Sequence, residues 1–202
     1  SRLKSNLMNP VVRWFNIKYR DDDLNTASAP KEWLEDSVNR MWTQITESNF
    51  NEVVSEMIKD QILLGTAMGM QEPKDDMVWK GIEYTSLPIM DSYFRMGPDE
   101  KAYRVHRRIR YTKDQLLDRF PKASELDFDD EEGSEVDAKK LVIFCVYRRD
   151  EIDEDVEGII PPDKRPYGYK YILEDGAVEL EEGGYYDFPP MVARWDKTAG
   201  TH

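Results

Sequence analysis

Cysteine occurs once and histidine twice in these 202 residues. A single cysteine excludes an internal disulfide framework and fits a reducing compartment. Cys145, His106 and His202 are too few to build a zinc site of His and Cys ligands. No apolar run approaches the ~20 residues that a membrane-spanning helix needs. The start, Ser1-Arg2-Leu3-Lys4, has no apolar stretch behind it of the kind a signal peptide carries. Positive charge is also in short supply: 28 Lys and Arg stand against 41 Asp and Glu, a formal net charge of −13. Modules that bind naked DNA or a membrane surface usually gather Lys and Arg on one face to replace counterions, so this balance argues against both. An acidic wall still suits DNA that must slide past without sticking. No glycine-rich loop ends in Gly-Lys-Ser or Gly-Lys-Thr, which excludes a P-loop motor, and no nucleophile elbow is present.

What is present reads as α+β, an N-terminal antiparallel helical hairpin followed by a mostly antiparallel β-sheet region with one short helix. The organisation divides into a helical region, residues 1–66, and a β-rich region, residues 67–202. Residues 10–19 offer Val11, Val12, Trp14, Phe15 and Ile17 without a clear period. Asp21-Asp22-Asp23 and Asn25 to Ala29 read as a loop, with an aspartate serving as a local cap. Ser28 or Ala29 is the expected cap of a helix with Pro30 in its first turn, where a missing N–H is harmless. Leu34, Val38, Met41, Trp42 and Ile45 follow at helical spacing. Asn49 with Glu52 resembles a capping box. It opens a second helix through Phe50, Val53, Val54, Met57, Ile58 and Ile62, ended by Gly65.

The remainder reads as strand and turn. Residues 91–96 and 102–111 flank Gly97-Pro98-Asp99-Glu100 and form a predicted hairpin. Thr112 and Gln115 make a capping box for a short helix through Leu116, Leu117 and Phe120, which Pro121 terminates. The acidic stretch 125–137 reads as an exposed loop. Residues 141–147, apolar on both faces, predict a central strand. Residues 150–166 read as a loop. Residues 167–173 and 177–181 form a second hairpin around Glu174-Asp175-Gly176, Gly183-Gly184 leads into 185–188, and 191–195 is a last strand.

Chemistry is hard to place on this pattern. Asp153, Asp155, Glu157 and Gly158 match the first half of an EF-hand loop, but Lys164 stands where a bidentate glutamate is required. The run from Asp127 to Gly133 misplaces its glycine by one. Asp21-Asp22-Asp23 is contiguous, whereas a two-metal site needs separated carboxylates converging on a cleft. No carboxylate pair is singled out for glycoside chemistry. Cys145 lies within Leu-Val-Ile-Phe-Cys-Val-Tyr, where a thiol is expected to be buried and slow to react. Gly65 and Gly69 are explained by a helix end and a tight contact. Trp and Met at helical spacing in the first helices read as core or interface. Arg104, Arg107, Arg108 and Arg110 form the one cationic cluster; on an alternating strand Arg104, Arg108 and Arg110 share a face opposite Arg107. Salt bridging to an acidic neighbour, such as another subunit, is favoured there over phosphate contact. No catalytic, metal or cofactor residue is assigned; subunit or partner contact is assigned to Arg104, Arg108, Arg110, Arg194 and Trp195.

Three segments carry a resemblance. They are Glu47-Ser48-Asn49-Phe50 followed at helix length by Leu63-Leu64-Gly65-Thr66-Ala67; the run from Tyr103 to Leu117, a strand leading into a helix that begins Thr-x-x-Gln-Leu; and the run from Gly184 to Lys197. In shared order and spacing, over residues 32–202, the chain resembles the portal proteins, or head-to-tail connectors, of short-tailed bacteriophages, and within them the wing. The resemblance implies a dodecameric ring at one capsid vertex, through which DNA is packaged and ejected. It implies docking to the terminase and then to capsid and tail adaptor proteins. It implies no enzymatic activity and no cofactor, and a place in the virion after assembly in the host cytoplasm. No DNA-contact residue of that family maps onto this chain. The ending, Lys197 to His202, follows an apolar segment without a closing helix. The expectation is therefore a piece of a longer protein, monomeric or weakly associated alone, with stem, clip and tunnel loop beyond His202. A stand-alone phage adaptor domain and a metal-dependent hydrolase remain the rival readings.

Overall fold

The computed structural model describes residues 12–74, 78–126, 139–150 and 159–195. By mutual contacts the described residues form two compact units, one of those up to residue 86 with 193–195, the other of those between 87 and 192. The change from helix to strand falls at Gly65, inside the first unit.

In the first unit residues 12–19 form no regular element. Their aromatic rings pack instead: Trp14 stacks 6.3 Å from Phe50, and Phe15 lies 6.1 Å from Trp42. Residues 21–29, expected as loop, contain a short helix α1 (Asp22–Thr26). The reason is local, since Asp21 Oδ1 accepts from the Asp23 backbone N–H and caps it. Helix α2 (Ser28–Glu47) starts one residue earlier than expected, with Ala27 as its N-cap and no side-chain cap. Helix α3 (Phe50–Leu64) follows across Ser48 and Asn49 and ends at Gly65, whose φ of +73° is a left-handed closure that glycine adopts without strain. The Asn49–Glu52 capping box is absent. Asn49 faces a strand instead: its Nδ2 donates to the Tyr84 carbonyl at 2.7 Å, and its Oδ1 accepts from the Tyr84 N–H at 2.9 Å. Leu34, Val38, Val53 and Ile58 are the buried residues of the two long helices.

Strands β1 (Thr66–Pro73), β2 (Ile82–Leu87) and β8 (Pro190–Arg194) form a three-stranded sheet in the order β2-β1-β8. The central position of β1 is visible in its burial, because Ala67, Met68, Gly69 and Met70 are all buried. Helix α3 rests on β1. A side chain at Gly69 would collide with Met57 Sδ, so Gly69 marks a tight contact as expected, within a strand. Trp195 N–H donates to the Gly65 carbonyl at 2.8 Å.

The second unit is built on a five-stranded antiparallel sheet in simple meander order, β3-β4-β5-β6-β7. Its strands are β3 (Ser92–Met96), β4 (Ala102–Tyr111), β5 (Lys140–Arg148), β6 (Tyr167–Leu173) and β7 (Val178–Tyr185). The first hairpin turns where expected, closed by the Gly97 N–H on the Lys101 carbonyl at 2.8 Å. Helix α4 (Lys113–Arg119) opens on the predicted capping box, with both reciprocal bonds of Thr112 and Gln115 formed. It lays Leu116 and, just beyond its end, Phe120 on one face of the sheet, where they meet Ala123, Val142, Leu173 and Leu180 in a buried cluster.

Strand β5 is central, but it is not buried on both faces. Val142, Phe144 and Val146 are buried, whereas Ile143, Cys145 and Tyr147 on the opposite face are half-buried. Strand β7 runs past the expected end of the hairpin at 181 to Tyr185, so Gly183 and Gly184 lie within it. The Tyr169 ring covers Gly183, and the Pro162 carbonyl approaches Gly184 where a side chain would have to stand. Of the acidic stretches, 127–138 and 151–158 lie outside the described residues, and with them the half-EF-hand residues Asp153, Asp155, Glu157 and Gly158.

Candidate functional site

Residues two apart on a strand point to the same face and lie about 6.8 Å apart along it. On β4 this rule puts Arg104, His106, Arg108 and Arg110 on one face. The register agrees, pairing them with Tyr147, Cys145, Ile143 and Leu141 on β5, all half-buried. Arg107 pairs with buried Phe144 and lies on the other face, so the expected separation of the arginines holds. The structure adds Arg95, which pairs directly with Arg104 across the β3–β4 hairpin. A β-bulge between Arg95 and Met96 shifts the register there, so counting back from the turn at Gly97 would set Arg95 opposite Tyr103; the pairing with Arg104 shows only in the structure.

Two features distinguish this face. Arg110 reaches Asp91 at 3.3 Å. Arg95, Arg104 and Arg108, by contrast, have no ion pair or side-chain hydrogen bond among the described residues, and Arg104 Nε is buried without a partner. At the far side of the same sheet the charges are matched. Lys170 Nζ lies 2.7 Å from Glu179 and 3.4 Å from Glu182. Arg149 lies 3.6 Å from Glu182, and Arg119 lies 2.8 Å from Glu181. The surplus positive charge therefore sits on β3 and β4.

Cys145 belongs to this face, which corrects the expectation that it is buried: it is half-buried, and its Sγ lies 3.8 Å from His106 Nε2. Burial pushes the Cys145 thiol up, outweighing the pull of Arg104 and Lys170, and burial together with Arg104 pushes His106 down. Both effects favour the neutral pair, a thiol beside an uncharged imidazole, whereas nucleophilic cysteine chemistry needs the thiolate. No group of three or more His, Cys, Asp and Glu residues is arranged to hold a metal among the described residues. No helix there is long and apolar enough to cross a membrane.

Arg194 and Trp195 belong to the first unit, and the arginine row belongs to the second. Trp195 is exposed, as are Trp14, Trp33 and Trp79, so four of the five tryptophans stand at the surface. The helical stripe thus splits: Leu34 and Val38 are core, while Trp33 and Met41 are exposed. Met41, Ile45, Trp79, Ile82 and Tyr84 line an apolar cleft of about 530 Å³ in the first unit. Exposed aromatic side chains of this kind are enriched at protein–protein contacts.

The resemblance carried by the segments around Glu47, Tyr103 and Gly184 is matched by a family model for the bacteriophage head to tail connecting protein, which covers residues 1–202. No curated protein matches the chain. Among the described residues, one sheet face of the second unit carries arginines without ion-pair partners, and four tryptophans of the chain are exposed. With the family model matched over its whole length, the chain belongs to the bacteriophage head-to-tail connecting proteins.

Proposed function

We propose that this chain is part of a portal ring subunit, placed at one vertex of the capsid. DNA is packaged and ejected through the ring, and the terminase and then the capsid and tail adaptor proteins attach to it. The connector-family match along all 202 residues carries this reading. The family is a structural one that joins head and tail components, and the surface is consistent with that role. A net charge of −13 offers DNA no broad phosphate-binding face, so DNA passes without specific attachment to this part. Arg104, Arg108, Arg110, Arg194 and Trp195 are contact residues toward neighbouring subunits or partners, and the chain has no catalytic activity of its own. The subunit assembles in the host cytoplasm and ends in the virion.

A stand-alone adaptor domain would share these surfaces without closing a ring, and a metal-dependent hydrolase would need carboxylates converging on an ordered cation. Native mass spectrometry of the full-length protein separates the three. The portal reading predicts one closed oligomer of many subunits, twelve by resemblance, with background rates on ATP and plasmid DNA in magnesium. A protein that stays monomeric at micromolar concentration would overturn the ring. A hydrolytic rate abolished by one Asp or Glu substitution would overturn the structural role.

A further inference from the structure

We propose that the open face of the five-stranded sheet is a docking site for an acidic amphipathic helix of another phage head or tail protein. This rests on reading the arginine row as a contact surface and deepens it by naming what the row takes. The face has two adjoining columns of different chemistry. On β3 and β4 stand Arg95, Arg104 and Arg108, without ion-pair partners among the described residues, in a chain with 41 acidic residues available to pair with them. Beside them run Leu141 and Ile143 on β5 and Ile172 on β6, where Ile143 and Ile172 are register partners and all three are half-buried. Helix α4 and its buried cluster occupy the opposite face.

A sheet face with apolar residues is normally covered by another layer. The dimensions suit a helix. From Arg104 to Arg110 the strand runs roughly 20 Å at about 3.4 Å per residue, which matches a helix of about 14 residues at 1.5 Å rise. Neighbouring strands lie about 4.8 Å apart, so a helix about 10 Å wide spans β4 and β5 together. One side of it then meets guanidinium groups, and the other meets Leu141, Ile143 and Ile172. Carboxylates suit the first side because Arg forms charge-assisted, often bidentate bonds with them. Burying these groups opposite carboxylates gives Arg104 Nε an acceptor as well. Nucleic acid suits the face less. Its continuous line of phosphates would extend from the arginines over a strongly acidic protein surface, and Leu141, Ile143 and Ile172 offer it nothing.

The test uses a fluorescein-labelled peptide of about 14 residues, with Glu along one helical side and Leu along the other, titrated against the full chain by anisotropy. A scrambled peptide of equal composition, a duplex and a single-stranded oligonucleotide are compared with it. The patterned peptide is expected to bind at least about tenfold more tightly than the scrambled one and to weaken as salt rises. Charge reversal at Arg104→Glu with Arg108→Glu is expected to weaken it by tenfold or more. A peptide carrying Lys in place of Glu is expected to bind that doubly reversed protein, a rescue that a misfolded variant would not give. Equal binding of patterned and scrambled peptides, tighter binding of either nucleic acid, or absence of the charge-swap rescue overturns the proposal. If the reversed protein no longer assembles with itself, the row is a self-contact. That result also overturns the docking site while leaving the connector reading intact.

Discussion

Phe120→Ala is expected to destabilise the second unit by about 3–5 kcal/mol, the range for deleting a fully buried aromatic ring. Phe120 has no exposed surface. It sits edge-on to Tyr111 at 5.8 Å and tilted against Tyr171 at 5.1 Å, with the Arg119 guanidinium 4.8 Å from its ring. The surrounding positions are held by β5, β6 and β7 on one side and by the turn from Leu116 to Ala123 on the other, so the gap cannot close without moving the sheet. Phe120→Leu keeps most of the volume and is expected to cost less than half as much. Urea unfolding followed by tyrosine fluorescence reads both. Equal, small losses for both variants would mean that helix α4 does not pack on the sheet as described.

The second large effect is expected at Asn49. Strand β2 is an edge of its sheet, with β1 on one side only. The Tyr84 N–H and carbonyl are both met by the Asn49 carboxamide, which substitutes for the peptide group of a neighbouring strand. Asn49→Ala removes both bonds and leaves two half-buried backbone groups short of partners, expected to cost about 2–3 kcal/mol. Asn49→Asp is the sharper test. A carboxylate still accepts from the Tyr84 N–H but turns an acceptor toward the Tyr84 carbonyl, so the aspartate variant is expected to be no more stable than the alanine variant at pH 7. If Asn49 acted as an ordinary N-cap, aspartate would serve as well as asparagine. Thermal unfolding of the three proteins at one pH decides between the two roles.

Asn49 also shows where the sequence stops being legible. Asn followed by Glu three residues on is the pattern of a capping box, and the helix does begin there; the partner of the side chain differs from the local expectation because it lies 35 residues away. Local rules succeeded where the deciding interaction is local. The Thr112–Gln115 box, the Gly97–Glu100 turn and the Gly65 stop are all set by residues within one or two turns. Strand β1 is not legible in the sequence for the opposite reason. Ala67-Met68-Gly69-Met70 has neither alternation nor β-branched residues, and its extended form depends on α3 above it and on β8 supplied from far along the chain. The half-exposure of Cys145 is not legible either, because an apolar run leaves open whether one face of a strand is uncovered. For the candidate site, the alternation of Arg104, Arg108 and Arg110 was readable from β4 alone. The absence of acidic partners for Arg104 and Arg108, and the addition of Arg95, needed the register of three strands.

The measurement that bears most directly on the connector assignment is the position of this protein in the virus particle. Gold-labelled antibody raised against the 202-residue chain can be applied to purified heads, both before and after tail attachment, and imaged by electron microscopy. The account predicts label at a single vertex per head, with the label lost or reduced where the tail covers that vertex. Label spread over all vertices or over the shell, or particles that carry none of the protein, would contradict it.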